Sequence, residues 1–160
     1  VKDFSNMNKY ITIHTAQWPN GKPLDIRDID RWHADPKFGF VRRPEWVAKF
    51  NPHLRHVGYH FFIKLDGEVQ TGRHPDELGA HVKDANMDNI GICLAGTDKY
   101  TKQQWDALKL LVADLMSSYP IVAVKGHEDW PSGKAQGKTC PNFDVAKWFA
   151  TKTPEDKNIL

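Results

Sequence analysis

The run Ile90-Gly91-Ile92-Cys93-Leu94-Ala95 carries no polar residue. A strand with one wet face alternates polar and apolar residues, so a run without alternation belongs to a strand covered on both sides. Such a strand needs a layered fold, with helices packed on a sheet. The 160 residues of the chain are enough to bury that core in one domain. The neighbouring patterns agree. Tyr10-Ile11-Thr12-Ile13-His14 is rich in β-branched residues and reads as a strand, as does the apolar run at 121–125. Residues 57–65 and 68–73 flank Asp66-Gly67, a strong hairpin signal.

Helices lie between these strands. Asp25 stands as N-cap before Ile26, Ile29 and Trp32, with Asp28 in capping-box position. Thr101 and Gln104 form a second capping box ahead of Trp105, Leu108, Leu111, Val112, Leu115, Met116 and Tyr119, and Pro120 stops that helix. Asp144 opens a last short helix, and Pro44 opens a small one through residues 45–50. The expected fold class is therefore α/β: a central mixed β-sheet flanked by helices, in a single domain. Its expected extent is residues 1–151, with 152–160 as a polar C-terminal tail that reads as an appendage.

Composition removes several classes. A hydrophobic share of 40% and a charged share of 26% are those of a globular chain, not a disordered or collagen-like one. No apolar run approaches the roughly 20 residues of a membrane helix. Residues 1–10 are polar and lack the apolar stretch of a secretory leader. A net charge of +2 is too small to argue for nucleic acid. Two cysteines form no disulfide framework, whereas 8 histidines point to metal or acid–base chemistry.

The layout places three candidate ligands. His14 ends the first strand and His127 follows the run at 121–126. If those strands are parallel neighbours, both imidazoles leave the carboxyl edge, where open α/β sheets hold their sites. Cys140 lies farther on, in a loop with Pro131, Gly133, Gly137 and Pro141 that can fold back to the same point. Two imidazoles and a thiolate leave a tetrahedral zinc one open position, the catalytic pattern. The same residues also admit surface histidines, a Cys93–Cys140 disulfide, or inert thiols. For Cys93, inside an apolar strand, the buried thiol is preferred.

A set of short motifs weighs between these alternatives. Ile13-His14-Thr15, His56-Val57-Gly58-Tyr59-His60-Phe61, Lys64-Leu65-Asp66-Gly67 and Gly72-Arg73 are followed by Asn89-Ile90-Gly91-Ile92, Gly126-His127 and Lys138-Thr139-Cys140-Pro141. In this order the chain resembles the zinc-dependent N-acetylmuramoyl-L-alanine amidases, of the type that includes short bacteriophage lysozymes and shares its fold with peptidoglycan-recognition proteins. The resemblance spans residues 14–149. It implies one Zn2+ held by His14, His127 and Cys140, an active-site tyrosine at Tyr59 and an active-site lysine at Lys138. It also implies substrate contacts from His81 and Asn86, and a structural role for His33.

The implied reaction is hydrolysis of the amide joining muramic acid to L-alanine by zinc-activated water. Lys138 would stabilise the oxyanion, and Tyr59 would help move a proton to the departing amine. Glu128 and Asp129, beside a ligand, could orient it. The implied partner is peptidoglycan, with no nucleic acid, no membrane insertion and a monomeric state. The implied setting is a phage or prophage endolysin, held in the host cytoplasm until lysis and then acting on the cell wall. Two rivals stand beside it. A binding module of the same fold typically lacks the cysteine ligand, and a thiol hydrolase would use Cys140 with His127 or His14 as base. One departure is the segment at 38–55, longer than in compact phage members. Its Phe38, Phe40, Arg42, Arg43, Trp46, Lys49, Phe50 and Arg55 read either as a surface decoration packed on the domain or, the functional reading, as a wall of the substrate groove.

Overall fold

The computed structural model describes residues 7–160; residues 1–6, part of the stretch read for a leader, lie outside it. The strands are β1 (Tyr10–Thr15), β2 (Phe61–Ile63), β3 (Val69–Thr71), β4 (Asn89–Leu94) and β5 (Ala123–Gly126). The helices are α1 (Ile26–His33), α2 (Pro44–Val47), α3 (Lys102–Ser118), α4 (Pro131–Ala135) and α5 (Val145–Thr151). The sheet order is β3-β2-β4-β1-β5. Strands β2, β4, β1 and β5 run parallel, and β3 closes one edge antiparallel.

β4 is buried along its whole length, as its unbroken apolar run requires. Ile90, Ile92 and Leu94 join Ile11 and Ile13 of β1 on one face, covered by Trp105, Leu108, Val112 and Leu115 of α3 and by Trp148 of α5. Cys93 and Phe62 lie on the other face with Ile26 and Ile29 of α1, Leu54 and Val57. Because side chains alternate along a strand, His14 projects away from the Ile11–Ile13 side. The first face is a plain core, and the second carries the polar groups.

Both capping boxes form with both arms closed, at Asp25/Asp28 and at Thr101/Gln104. Gln104 does more than cap. Its side-chain amide donates to the carbonyls of Ile63 and Ala95, fastening α3 to the ends of β2 and β4.

Four expectations change. The hairpin is real but its strands are short, because residues 57–60 are crossed by the next loop, whose Ala80 N–H donates to Gly58 O. A Cβ on Gly58 would sit 2.0 Å from Ala80 O, so only glycine allows the crossing. α2 is one turn long, and α4 appears inside what read as loop. Finally, residues 152–160 are docked rather than appended. Asn158, 4% exposed, donates to the carbonyls of Asp98 and Asn142, while its own carbonyl accepts from Trp105 Nε1 and the Tyr100 amide. Among the described residues no helix is long and apolar enough to cross a membrane.

Among the histidines outside the ligand set, buried His60 and half-buried His33 tie this fold to pH. His60 accepts from Gly91 N–H at Nδ1 and donates from Nε2 to Glu77 O; His33 Nδ1 accepts from Gly58 N–H. Burial lowers both to about 4, against an ordinary 6.5. Between those values the unfolded chain binds more protons than the folded one, so acidification favours unfolding. Stability should be full above the unfolded pKa and fall as pH drops towards about 4, each ring contributing on the order of 1–2 kcal/mol at about pH 5. A Tm series on the metal-free protein checks this; a flat profile across that window contradicts it.

Candidate active site

β1 and β5 are adjacent and parallel, with Ile13 opposite Gly126. Their ends therefore deliver His14 and His127 side by side, ring centroids 4.7 Å apart. Cys140 is carried back to them by the α4 loop. Lys138 N–H bonds Gly133 O at the foot of that loop, and Glu128 N–H bonds Cys140 O at its close. Gly133 packs so tightly under His127 that an added Cβ would lie 2.1 Å from its carbonyl oxygen. One ligand atom each from His14, His127 and Cys140 lies within 4.8 Å of the others.

Both cysteines are free, so the disulfide alternative does not hold. The Thr15 amide donates to Cys140 Sγ at 3.0 Å, a contact that supports a thiolate. Burial, opposed by that amide and by the Lys138 charge, still pushes the thiol up to about 12. Burial also lowers His14 well below its ordinary value and His127 to about 4, leaving neutral imidazoles. Neutral rings and a protonated thiol are a poor nucleophile–base pair, which weighs against the thiol hydrolase. They are good ligands for a metal that displaces the thiol proton. His127 Nε2 is buried without a hydrogen-bond partner. Two nitrogens and one sulfur, converged within 4.8 Å, fit zinc.

Tyr59 packs over this cluster, its ring 5.0 Å from His14 and 5.3 Å from His33. Burial first, and the neighbouring Cys93 and Cys140 after it, push its pKa well up, so it is a neutral phenol. Lys138 is exposed at the rim, and its charge acts on His14, His127 and Cys140.

His81 and Asn86 are placed differently from expectation. His81 is 8% exposed and lies behind His14, its Nδ1 3.0 Å from His14 Nε2 and its Nε2 2.8 Å from Asn89 O. Neither ring nitrogen is left for a substrate group. Asn86 Oδ1 accepts from the amides of His81 and Val82, holding the turn. Asp129 accepts from Gly126 N–H and so fixes the strand end rather than the imidazole. Sequence reading placed His81 at the site but missed its contact with His14. Its signal was Gly91, because a glycine inside a buried strand marks a close approach. A Cβ there would meet the His81 ring at 2.7 Å.

The 38–55 segment also needs correction. Arg42 does not face a groove: its guanidinium is fully buried, in a two-bond pair with Glu77, and it also donates to the carbonyls of Phe50, Asn51 and Leu54. Trp46 stacks on His74, and Lys49 Nζ lies over the Trp46 ring. Phe38 and Phe40 stack on each other and meet His33, which packs on Tyr59. That pair alone continues the ring contacts of the site.

Two histidines and a cysteine converge at the carboxyl edge of a mixed sheet, beside a tyrosine and an exposed lysine, and form a donor set that could hold a metal ion. The chain belongs to the N-acetylmuramoyl-L-alanine amidase family, which it matches over residues 5–143. It is a peptidoglycan amidase, and its fold is the one shared with peptidoglycan-recognition proteins. The endolysin of Enterobacteria phage K11 is 30% identical over 147 residues, covering 87% of this chain and 83% of that protein. Among solved structures, the amidase LysC from Clostridium intestinale URNW superposes with a TM-score of 0.68 at 26% identity, over 94% of this chain and 89% of that one. Drosophila PGRP-LB superposes with a TM-score of 0.62 at 25% identity, over 88% and 78%.

Proposed function

We propose that the amidase works with one Zn2+ held by His14, His127 and Cys140, and that it serves a phage or prophage as its lytic enzyme, reaching the cell wall from the host cytoplasm. The convergence of the three ligand atoms within 4.8 Å carries the first part of this reading. The endolysin relative supports the second. When bound, zinc supplies an activated water near neutral pH and a Lewis acid.

The remaining chemistry belongs to the chain. Lys138, a mobile-stemmed cation at the rim, neutralises charge that develops on the lactyl carbonyl oxygen. Tyr59, kept as a phenol by burial, donates a hydrogen bond at the reacting centre and helps carry a proton to the L-alanine amine as it departs. A polar cleft of about 760 Å³ adjoins Thr139, lined also by Gln17, Asp98, Lys99, Asn142 and Lys157, and offers room for the stem peptide.

Digestion of purified peptidoglycan with mass analysis of the products tests the reading. Released peptides that begin with L-alanine, lost on chelation and regained with added Zn2+, are expected. New reducing sugar ends would refute the bond assignment, and release that survives chelation would revive the thiol mechanism.

A further inference from the structure

The ring of His81 is wedged between the His14 side chain and β4, and its contacts determine which nitrogens carry protons. Asn89 O can only accept, so His81 Nε2, 2.8 Å away, carries its hydrogen. A neutral imidazole has one N–H, which leaves His81 Nδ1 as a bare acceptor. His14 Nε2, 3.0 Å from that atom, must then be the donor. The hydrogen of His14 is thus on Nε2, and the lone pair is on Nδ1.

The acceptor is itself pinned. Asn89 donates from Nδ2 to Ala85 O and accepts from Thr12 Oγ1, which takes a hydrogen bond from Trp130 Nε1. The ring sits in a slot cut by two glycines. An added Cβ would meet His81 at 2.7 Å from Gly91 and at 2.8 Å from Gly79. His60, locked between Gly91 N–H and Glu77 O, closes the slot edge-on, with ring centroids 5.7 Å apart. The His81 amide is held by Asn86.

We infer that His81 is a positioning residue for the metal centre: it selects the His14 tautomer that presents Nδ1, and it holds the ring in the ligand direction. The inference rests on the assignment of His14, His127 and Cys140 as zinc ligands. Outer partners of ligating histidines commonly change metal affinity tenfold to a hundredfold when removed.

Two variants separate positioning from plain structure. His81→Gln keeps a donor near the Nε2 position for Asn89 O and removes the acceptor facing His14. His81→Asn keeps a carbonyl oxygen near the Nδ1 position and removes the donor. Zinc affinity, read by competition with a chromophoric chelator, should fall about 10–100-fold in His81→Gln and be largely kept in His81→Asn. A merely structural role moves both together, or spares the glutamine. Long-range 1H–15N spectra of the imidazoles in zinc-free protein read the tautomer directly. The native chain should show His14 protonated at Nε2 alone, and His81→Gln should show both forms. Native zinc affinity in His81→Gln, or a native His14 protonated at Nδ1, would overturn the inference. A native chain that binds no zinc while His14 keeps the Nε2–H form overturns the ligand assignment, and this inference with it.

Discussion

Cys140→Ser is expected to empty the metal site and leave the fold standing. Bound zinc should drop from about one ion per chain to near zero by elemental analysis, with activity lost by at least about 100-fold. A serine hydroxyl does not ionise near neutral pH, so the site would keep two neutral nitrogens and no anion for a divalent cation. The fold should survive because the change is nearly isosteric, and the Thr15 amide can donate to Oγ as it does to Sγ. The metal-free Tm should therefore move by only a few degrees. Lys138→Ala gives the contrasting outcome. Its side chain lies outside the ligand set and is exposed, so zinc and Tm should be native while kcat falls about 10²–10³-fold, the usual cost of losing one oxyanion-stabilising group. Full zinc in Cys140→Ser, or near-native turnover in Lys138→Ala, would remove that residue from its assigned role.

What could be read in the sequence was what local chemistry determines. Caps, the long helix and the buried strand carry their signals within a few residues, and the structure reproduces each. The convergence of His14 and His127 was legible by one further step, since parallel neighbours must release both histidines at the same edge. Contacts set by tertiary packing were not. His81 touches His14 across 67 residues, and Arg42 finds Glu77 across 35. Nothing local distinguishes such an imidazole from a surface one, or such a guanidinium from a groove-lining one. Trp32 shows the reverse error. Counted on the apolar face of α1, it is 39% exposed and packs against Trp18, whose ring also carries Lys22. Asn158 in the docked tail is a third case, because a polar composition says nothing about which carbonyls a side chain will reach.

Arg42→Ala should be among the most destabilising single changes in this chain. Both partners of its pair with Glu77 are essentially without solvent, at 0% and 2% exposure. Removing one partner strands the other charge, a cost of about 3–5 kcal/mol. The backbone carbonyls of Phe50, Asn51 and Leu54 also lose their donor, so the whole 38–55 connection loosens. For a chain of this size, Tm should fall on the order of 10 °C. Glu77→Gln should also be costly, because the buried guanidinium loses its counter-charge and the amide NH2 cannot accept its second bond, although the Glu77 backbone carbonyl still holds His60. Combining Arg42→Met with Glu77→Leu should cost less than the sum of the two, since neither charge is then stranded. The catalytic consequence follows from geometry. The segment presents Phe40 to His33, and His33 packs on Tyr59, so a loosened clamp should raise KM or lower kcat while zinc stays bound. If the double-mutant cycle shows no coupling, the buried pair is two independent groups. The 38–55 segment is then held by the Arg42 bonds to the carbonyls of Phe50, Asn51 and Leu54 rather than by the ion pair.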